Sequence, residues 1–596
     1  MTVGDPRFRS SPELAIRRSD RPWGHLHSNF VTEERQELDH RPVVQSIRRI
    51  LAKLAGQQEW VWLLVLWVTV TAYNLFKPYH IDDTAHLEIA RWISANPLRP
   101  MSGLFDWEEG IEPIYQLNQP HLYFYLLALW GGVFGYSEVA MHSLQSLASL
   151  GCILLFHRLA RRFVGPAALW ATAMLVLGPA FIVEQNLMVD IPLLATWLAF
   201  FNFLICDIAS PRQNRRYVLA ALACAAALLI KYSSLTLLVI LSLSLLLERR
   251  RKQAWTVLIP IVALAAWSLF NFLDYGGVHI ALRGVSPSWP SLEEAVAWVL
   301  ALGALTPLGL IALTQSRQEL VRAEGAIYGV TAVGLAAMVL AVAFGVLSNW
   351  WSDKLLWVVF IANGTFIYLA LTPDVLSLAY GRFWRPEVAR VLGPRIYLAL
   401  WIFGTTAFYV RFAPFVAARH VLLILPPLGL LLIPRWSGSL TWESRNFGLG
   451  LTLIVSVGLC LSDWRFAEFY KEEAAKLAQT LPNTGNIWFS GHFGWQWYAT
   501  QNGLGDADAP SSHLRPGDYL VVARDIEEVP PQMRLVRTDR QSGPLLNLFC
   551  TGRNARFYIS DYKTAPWSLS CDCLKHLTVF QILSSWDQPS DALEKR

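Results

Sequence analysis

The sequence predicts a mainly helical, polytopic membrane protein of about thirteen transmembrane spans, with a surface helix in its first external loop and a small α/β or α+β domain at its C-terminus. Three observations predict it. Apolar residues make up 54% of the 596 and charged residues only 16%, a balance suited to folding in lipid rather than around one aqueous core. Apolar runs recur at 60–76, 139–157, 166–185, 192–209, 217–231, 232–247, 254–273, 295–313, 326–347, 353–371, 395–411, 420–434 and 446–462. The arginine clusters between those runs can all be placed on one side of a membrane.

Residues 1–58 read as a polar cytoplasmic segment. They are mixed in charge and lack an early apolar core followed by a small-residue cleavage site, so they do not read as a signal peptide. VQSIRRILAKLAG, residues 44–56, fits a basic amphipathic helix on the inner membrane face or a tail running into the first span. Residues 59–462 form the membrane domain. Its sidedness turns on one ambiguous stretch, HLYFYLLALWGGVF at 121–134. Counted as a crossing, it would throw RLARR (158–162), RQNRR (212–216), ERRRK (248–252), Arg317, Arg322, Arg382, Arg385, Arg390, Arg395, Arg435 and Arg445 outside. Read as a helix on the outer surface, it leaves all of them inside, as positive charge requires.

The first external loop is then 77–138, the longest of the membrane part, and residues 463–596 lie outside. That tail is polar and broken by Pro and Gly, with strand candidates NIWFS (486–490) and YLVVA (519–523). Of the seven cysteines, Cys152, Cys206, Cys224 and Cys460 lie in apolar runs. Cys550 has Cys571 and Cys573 as candidate disulfide partners in an extracytoplasmic tail, and their CDC spacing is too tight for a usual zinc site. The net charge of +5 is small for this length and sits in short loops, which argues against nucleic-acid binding.

External polar residues are few. The loop stretch HIDDTAHLEIARWI places Asp82 and Asp83 side by side before a helix-forming segment, with Asp83 or Thr84 near its N-cap. MVDIP adds Asp190, and Lys231, Arg411, Arg419 and His420 complete the set. Acids and cations converging under a membrane surface suit a reaction on a lipid-linked phosphate: a base takes a proton from the acceptor, and cations or a metal neutralise the departing phosphate. Each residue also has a plainer role. The acids can cap a helix or sit in a turn, Lys231 can snorkel, and Trp107, Tyr115, Tyr123, Trp289, Trp350 and Trp351 fit an interfacial aromatic belt.

Taken in order, DDTAHLEIARWI, NQPHLYFYL, LMVDIPL, IKYSSL and ARHVLLILPP resemble the motifs of the polytopic GT-C glycosyltransferases, near the protein O-mannosyltransferases and the lipid A aminoarabinose transferases. The tail's DWRFAEFY and WFSGHFGWQWYA are similar to the external domain of bacterial members. The resemblance implies transfer of a sugar from a polyprenyl-phosphate donor to a lipid, glycan or protein acceptor at the outer face of the cytoplasmic membrane, with inversion at the sugar carbon. It implies Asp82 or Asp83 as base, Asp190 in acceptor positioning or metal binding, and Lys231, Arg419 and His420 on the donor phosphate. Some relatives bind a divalent metal ion through an acid before the surface-helix proline. Here that neighbourhood reads Asn118-Gln119-Pro120-His121, with no acid, and Asn118 and His121 are the candidates for acceptor or metal positioning.

The rival class is a transporter or flippase for lipid-linked sugars. It would place charges or broken helices at mid-membrane and show repeated halves. Here the candidate acids sit at span ends and no halves repeat.

Overall fold

The computed structural model describes residues 42–107, 110–117, 119–206, 213–282, 292–306, 324–384, 386–436, 442–481, 485–509, 511–523, 529–543, 547–552, 555–572 and 574–587. The segment predicted at 44–56 lies inside one helix, Pro42–Asn74. Residues Leu63–Arg596 form one compact unit, and the fold below is that of this unit.

The unit is mainly helical. Among the described residues, four helical stretches are long and apolar enough to cross a membrane: Glu138–Val176, Arg251–Tyr275, Asn349–Thr372 and Arg445–Thr480. Shorter apolar helices are Leu122–Phe134, Asp190–Cys206, Tyr232–Leu247, Val333–Ala343 and Leu425–Pro434. Helix Glu138–Val164 shows how local sequence sets the ends. Ser137 caps it by accepting from the Ala140 amide at 3.3 Å, Glu138 sits in the first turn, and Arg161 and Arg162 sit in the last, each sign complementing the helix dipole. Its packed face carries His142, Gln145, Ser146 and Ser149, the inside-out distribution of a helix whose outer face meets lipid. In helix Leu258–Tyr275 that outer face is bare, with Val262, Leu269 and Leu273 exposed.

The run read as one span at 166–185 is two helices, Ala168–Val176 and Pro179–Ile182. Gly178–Pro179 breaks it, because proline brings no amide donor and fits only a first helical turn. Elsewhere small residues let helices meet. A Cβ on Gly303 would come within 1.8 Å of the Phe360 carbonyl oxygen, and one on Gly364 within 2.1 Å of that of Val299. Helices Leu292–Leu305 and Asn349–Trp384 therefore touch backbone to backbone.

Helix Trp442–Thr480 continues without a break past the boundary expected at 462. Beyond it lies a five-stranded mixed sheet. Its strands are β1 (Ile487–Ser490), β2 (Gly505–Asp506), β3 (Tyr519–Val522), β4 (Met533–Arg540) and β5 (His576–Ile582), in the order β2-β1-β3-β5-β4. β1 runs parallel to β2 and β3, and β5 is antiparallel to β3 and β4. Helix Gly494–Gln501 supplies the crossover after β1. Cys550 is disulfide-bonded, Cys571 is a free thiol, and Cys573 lies outside the described residues.

Candidate functional site

The opening pair splits into two environments. Helix Asp83–Ala95 begins at Asp83, so the N-cap position falls on Asp82, one residue earlier than the sequence suggested. Asp82 makes no side-chain cap bond. Asp83, the first helical residue, reaches back instead, and its Oδ2 accepts from the His80 amide at 2.9 Å. Its Oδ1 accepts from the Leu187 amide at 2.6 Å, tying the first external loop to the turn before Asp190. Burial pushes the Asp83 carboxyl up to about 7 against the pull of the His80 amide and Lys77. With both oxygens engaged and no exposure, Asp83 is a structural tie. Asp82 instead turns toward Arg419, with Oδ2 3.6 Å from Nη2. Its neighbour Ile81 has φ 49°. A β-branched residue in the left-handed region is strained, as residues beside functional groups often are.

Asp190 opens helix Asp190–Phe201. Its Oδ1 accepts from Lys231 Nζ at 2.9 Å, and its Oδ2 lies 3.9 Å from Arg419 Nε. Lys231 holds an extended backbone between helix Gln213–Leu228 and the turn Tyr232–Ser234, with Nζ 6.0 Å from the Tyr409 ring centre. Arg419 comes from helix Ala418–Leu422. Burial works against its charge, but Asp82, Asp190 and Glu184 outweigh it and hold the guanidinium above its usual range. Asp82, Asp190, Lys231 and Arg419 thus form one charge chain drawn from four separate segments, buried at Asp190 and Arg419 and partly exposed at Asp82 and Lys231.

The chain is incompletely satisfied. Arg419 Nη1 and Asp190 Oδ2 are buried without a hydrogen-bond partner. Native proteins leave few such atoms, and each asks for an explanation such as a ligand.

His420 borders the chain from behind. Its ring stacks on Tyr409 at 4.3 Å and 24°. His121 lies in a separate aromatic pocket, against Phe124 at 4.9 Å and Trp267 at 5.8 Å, with both ring nitrogens unpartnered. His86 stands between the two places. Its ring touches Phe124 at 4.9 Å. Burial lowers its pKa against Asp82 and a hydrogen bond at Leu187. Asn118 lies outside the described residues. Among the described residues no group of three His, Cys, Asp or Glu is arranged to hold a metal ion. Asp190, the acid proposed for one, is engaged by Lys231 and Arg419 instead.

Sequence reasoning missed a second polar network beside the first. Lys77 donates to Asn186 Oδ1 at 2.6 Å and to Asp463 Oδ2 at 2.5 Å. Tyr558 donates to the same Asp463 oxygen at 2.7 Å, Thr551 donates to Oδ1 at 3.2 Å, and His80 Nε2 lies 3.4 Å from Oδ1. Burial would raise the Asp463 pKa, but Lys77 and His80 outweigh it and hold the carboxylate well below its usual range. Glu184 is also fully buried, with neither oxygen bonded. Its signal was legible: an acid inside an apolar run is rare and marks function by default.

One family model agrees with the resemblance over part of the chain. The family model for dolichyl-phosphate-mannose-protein mannosyltransferase matches residues 118–273, a span that contains His121, Asp190 and Lys231 and stops short of Arg419. Among solved structures, ArnT from Cupriavidus metallidurans bound to undecaprenyl phosphate is similar at 16% identity and a TM-score of 0.38, over 79% of this chain and 93% of that one. The archaeal oligosaccharyltransferase AglB from Archaeoglobus fulgidus, in complex with an inhibitory peptide and a dolichol-phosphate, is similar at 12% identity and a TM-score of 0.34, over 71% of this chain and 58% of that one. No curated protein matches in sequence.

Proposed function

We propose that this protein is an integral membrane glycosyltransferase that moves a sugar from a polyprenyl-phosphate donor to a lipid, glycan or protein hydroxyl, with inversion. The observation that carries the proposal is the charge chain Asp82–Arg419–Asp190–Lys231, buried yet unsatisfied at Arg419 Nη1. Asp82 takes the proton of the acceptor hydroxyl as its oxygen attacks the sugar carbon. The bond from that carbon to the phosphate oxygen breaks, and the negative charge leaves on the polyprenyl phosphate. Arg419 and Lys231 meet that charge as it develops, where fixed cations in a dry site are most effective. Asp190 holds both cations in place, and His420 supports Lys231 through the Tyr409 ring.

An open apolar groove of about 460 Å³ supports the lipid half of the reading. Trp298, Tyr368, Phe403 and Val410 are among its lining residues. Trp298 stacks on Tyr409 at 5.7 Å, so the groove adjoins the ring beneath Lys231. A prenyl chain in the groove would present its phosphate to the cations.

The full reading places about thirteen spans in the cytoplasmic membrane, residues 1–58 inside and the 463–596 tail outside. Reporter fusions after residues 165, 215 and 252 should report cytoplasm and one after 480 the exterior. The opposite pattern puts the acids on the wrong face. The rival reading is transport of lipid-linked sugars. Membranes supplied with a panel of polyprenyl-phosphate sugars, followed by mass spectrometry of all products, separate the two. A new glycosylated acceptor supports transfer, and donor moved across the membrane without any product supports transport.

A further inference from the structure

The tail grips the reacting groups from two sides. On one side Asp463, at the end of the last apolar run, binds Lys77 and His80, which precede Asp82 in its own loop. Through Lys77 it also reaches Asn186, next to the Leu187 amide that Asp83 holds. On the other side residues 557–560 pair with the approach to Arg419. The Ala418 amide donates to the Phe557 carbonyl at 3.0 Å, and the Ser560 amide to the Val416 carbonyl at 2.6 Å. Tyr558 stands between these bonds. Its hydroxyl donates to Asp463 Oδ2 at 2.7 Å and accepts from Asn186 Nδ2 at 3.1 Å. One short tail segment is therefore bonded both to the Arg419 segment and, through Asp463, to the Asp82 loop.

A third contact fixes the same loop. The Thr84 hydroxyl donates to the Phe493 carbonyl at 2.6 Å, and the Tyr79 amide to the Tyr498 hydroxyl at 2.8 Å. Gly494 sits so close that a Cβ there would come within 2.3 Å of the Tyr79 carbonyl oxygen. Between Asp82 and Arg419 themselves there is only a 3.6 Å ion pair, too long for a hydrogen bond. Their separation is set from outside.

We propose that Tyr558 and Asp463 are positioning residues, through which the docked tail sets the distance between the proposed base Asp82 and the phosphate-binding Arg419. The inference rests on the glycosyl-transfer reading for its consequence and on the tail contacts alone for its geometry. Reacting groups displaced by about 1 Å can lose on the order of 100-fold in rate. Loss of one charge-assisted hydrogen bond that holds such groups is expected to cost about tenfold.

The test uses the full chain in native membranes and in detergent. Tyr558→Phe keeps the ring and removes only the hydroxyl. Its initial transfer rate at saturating donor should fall about tenfold, at unchanged membrane abundance and with donor KM altered less than the rate. Hydrogen exchange, followed without substrate, should speed up in peptides covering 80–84 and 416–419 but not in one covering 292–305. The double variant Lys77→Met/Asp463→Leu, which leaves no unpaired buried charge, should insert stably and still turn over slowly. A merely structural network would return that double variant to the parent rate. A parental rate in either stably inserted variant overturns the inference if the parent transfers sugar. If the parent transfers none, the glycosyl-transfer reading fails, and exchange decides the geometry alone. Unchanged exchange in both peptides then overturns it.

Discussion

Two largely buried ionic networks lie side by side in this protein, and they are built differently. Asp463 has Lys77 and Tyr558 at 2.5 and 2.7 Å on one oxygen and Thr551 at 3.2 Å on the other. The chain through Arg419 is loose, at 3.6 and 3.9 Å, with one guanidinium nitrogen and one Asp190 oxygen unbonded. A buried ion pair repays its desolvation only with close geometry and extra hydrogen bonds. The first network meets that condition alone and acts as scaffold. The second does not, and the donor phosphate proposed to lie between Lys231 and Arg419 would complete it. His80 Nδ1 beside the first network is also unbonded, but there the carboxylate has both oxygens engaged, whereas in the second the charged groups themselves keep unused capacity.

The largest expected effect separates the two adjacent acids. Asp82→Asn should lose ~10²–10⁴-fold in initial transfer rate, as expected for a lost general base, while remaining stably inserted. Asp83→Asn should act mainly on stability, because an amide offers one acceptor where two backbone amides need one each. If both variants keep more than about a tenth of the rate, the pair only shapes the helix start, and Asp190 becomes the next candidate base.

Lys77→Met tests the tight network by leaving Asp463 buried and unpaired. Removing one partner of such a pair costs about 3–5 kcal/mol, to be read as a loss of unfolding free energy in micelles. A loss below about 1 kcal/mol, the scale of exposed pairs, would show that the two networks do not differ as described.

Lys231→Ala and Arg419→Ala should each slow transfer at limiting donor roughly ten- to a hundred-fold, the scale of a charge-assisted phosphate contact made mainly in the transition state. Parental turnover in both would remove the phosphate from this site.

The smallest effect is a pH dependence. Burial, with His279 and His86 nearby, lowers the His121 pKa well below the usual histidine value. The unfolded chain takes up this proton near pH 6.5, and the folded chain does not. The histidine's contribution to stability is therefore present above that pH and is lost as pH falls below it, by up to about 1.4 kcal/mol per pH unit. His121→Phe should flatten the fall in thermal stability between about pH 6.5 and 5. An unaltered slope would mean that His121 titrates as freely folded as unfolded.

Periodicity, charge and motif order made much of this protein legible in advance. Apolar runs mark helices because lipid demands that every backbone group be bonded within its own segment. Helix Leu122–Phe134 and strands β1 and β3 stand where the sequence put them. Asp82, Asp190, Lys231 and Arg419 were legible because each is a polar residue at the end of an apolar run, where charge is scarce. The tertiary structure decided what those residues do to one another. No spacing rule pairs Lys77 with Asp463 across the whole membrane part, or sets Tyr558 between Asp463 and Asn186. Nor does local sequence separate Asp82 from Asp83. Both are good helix-start acids, and only the arrival of the Leu187 amide and the Arg419 guanidinium sets one in the scaffold and turns the other toward the candidate site. Hydrophobic pattern is a one-dimensional signal that fixes which segments are buried, whereas hydrogen bonds and ion pairs depend on distances of a few ångströms that exist only once the segments have packed.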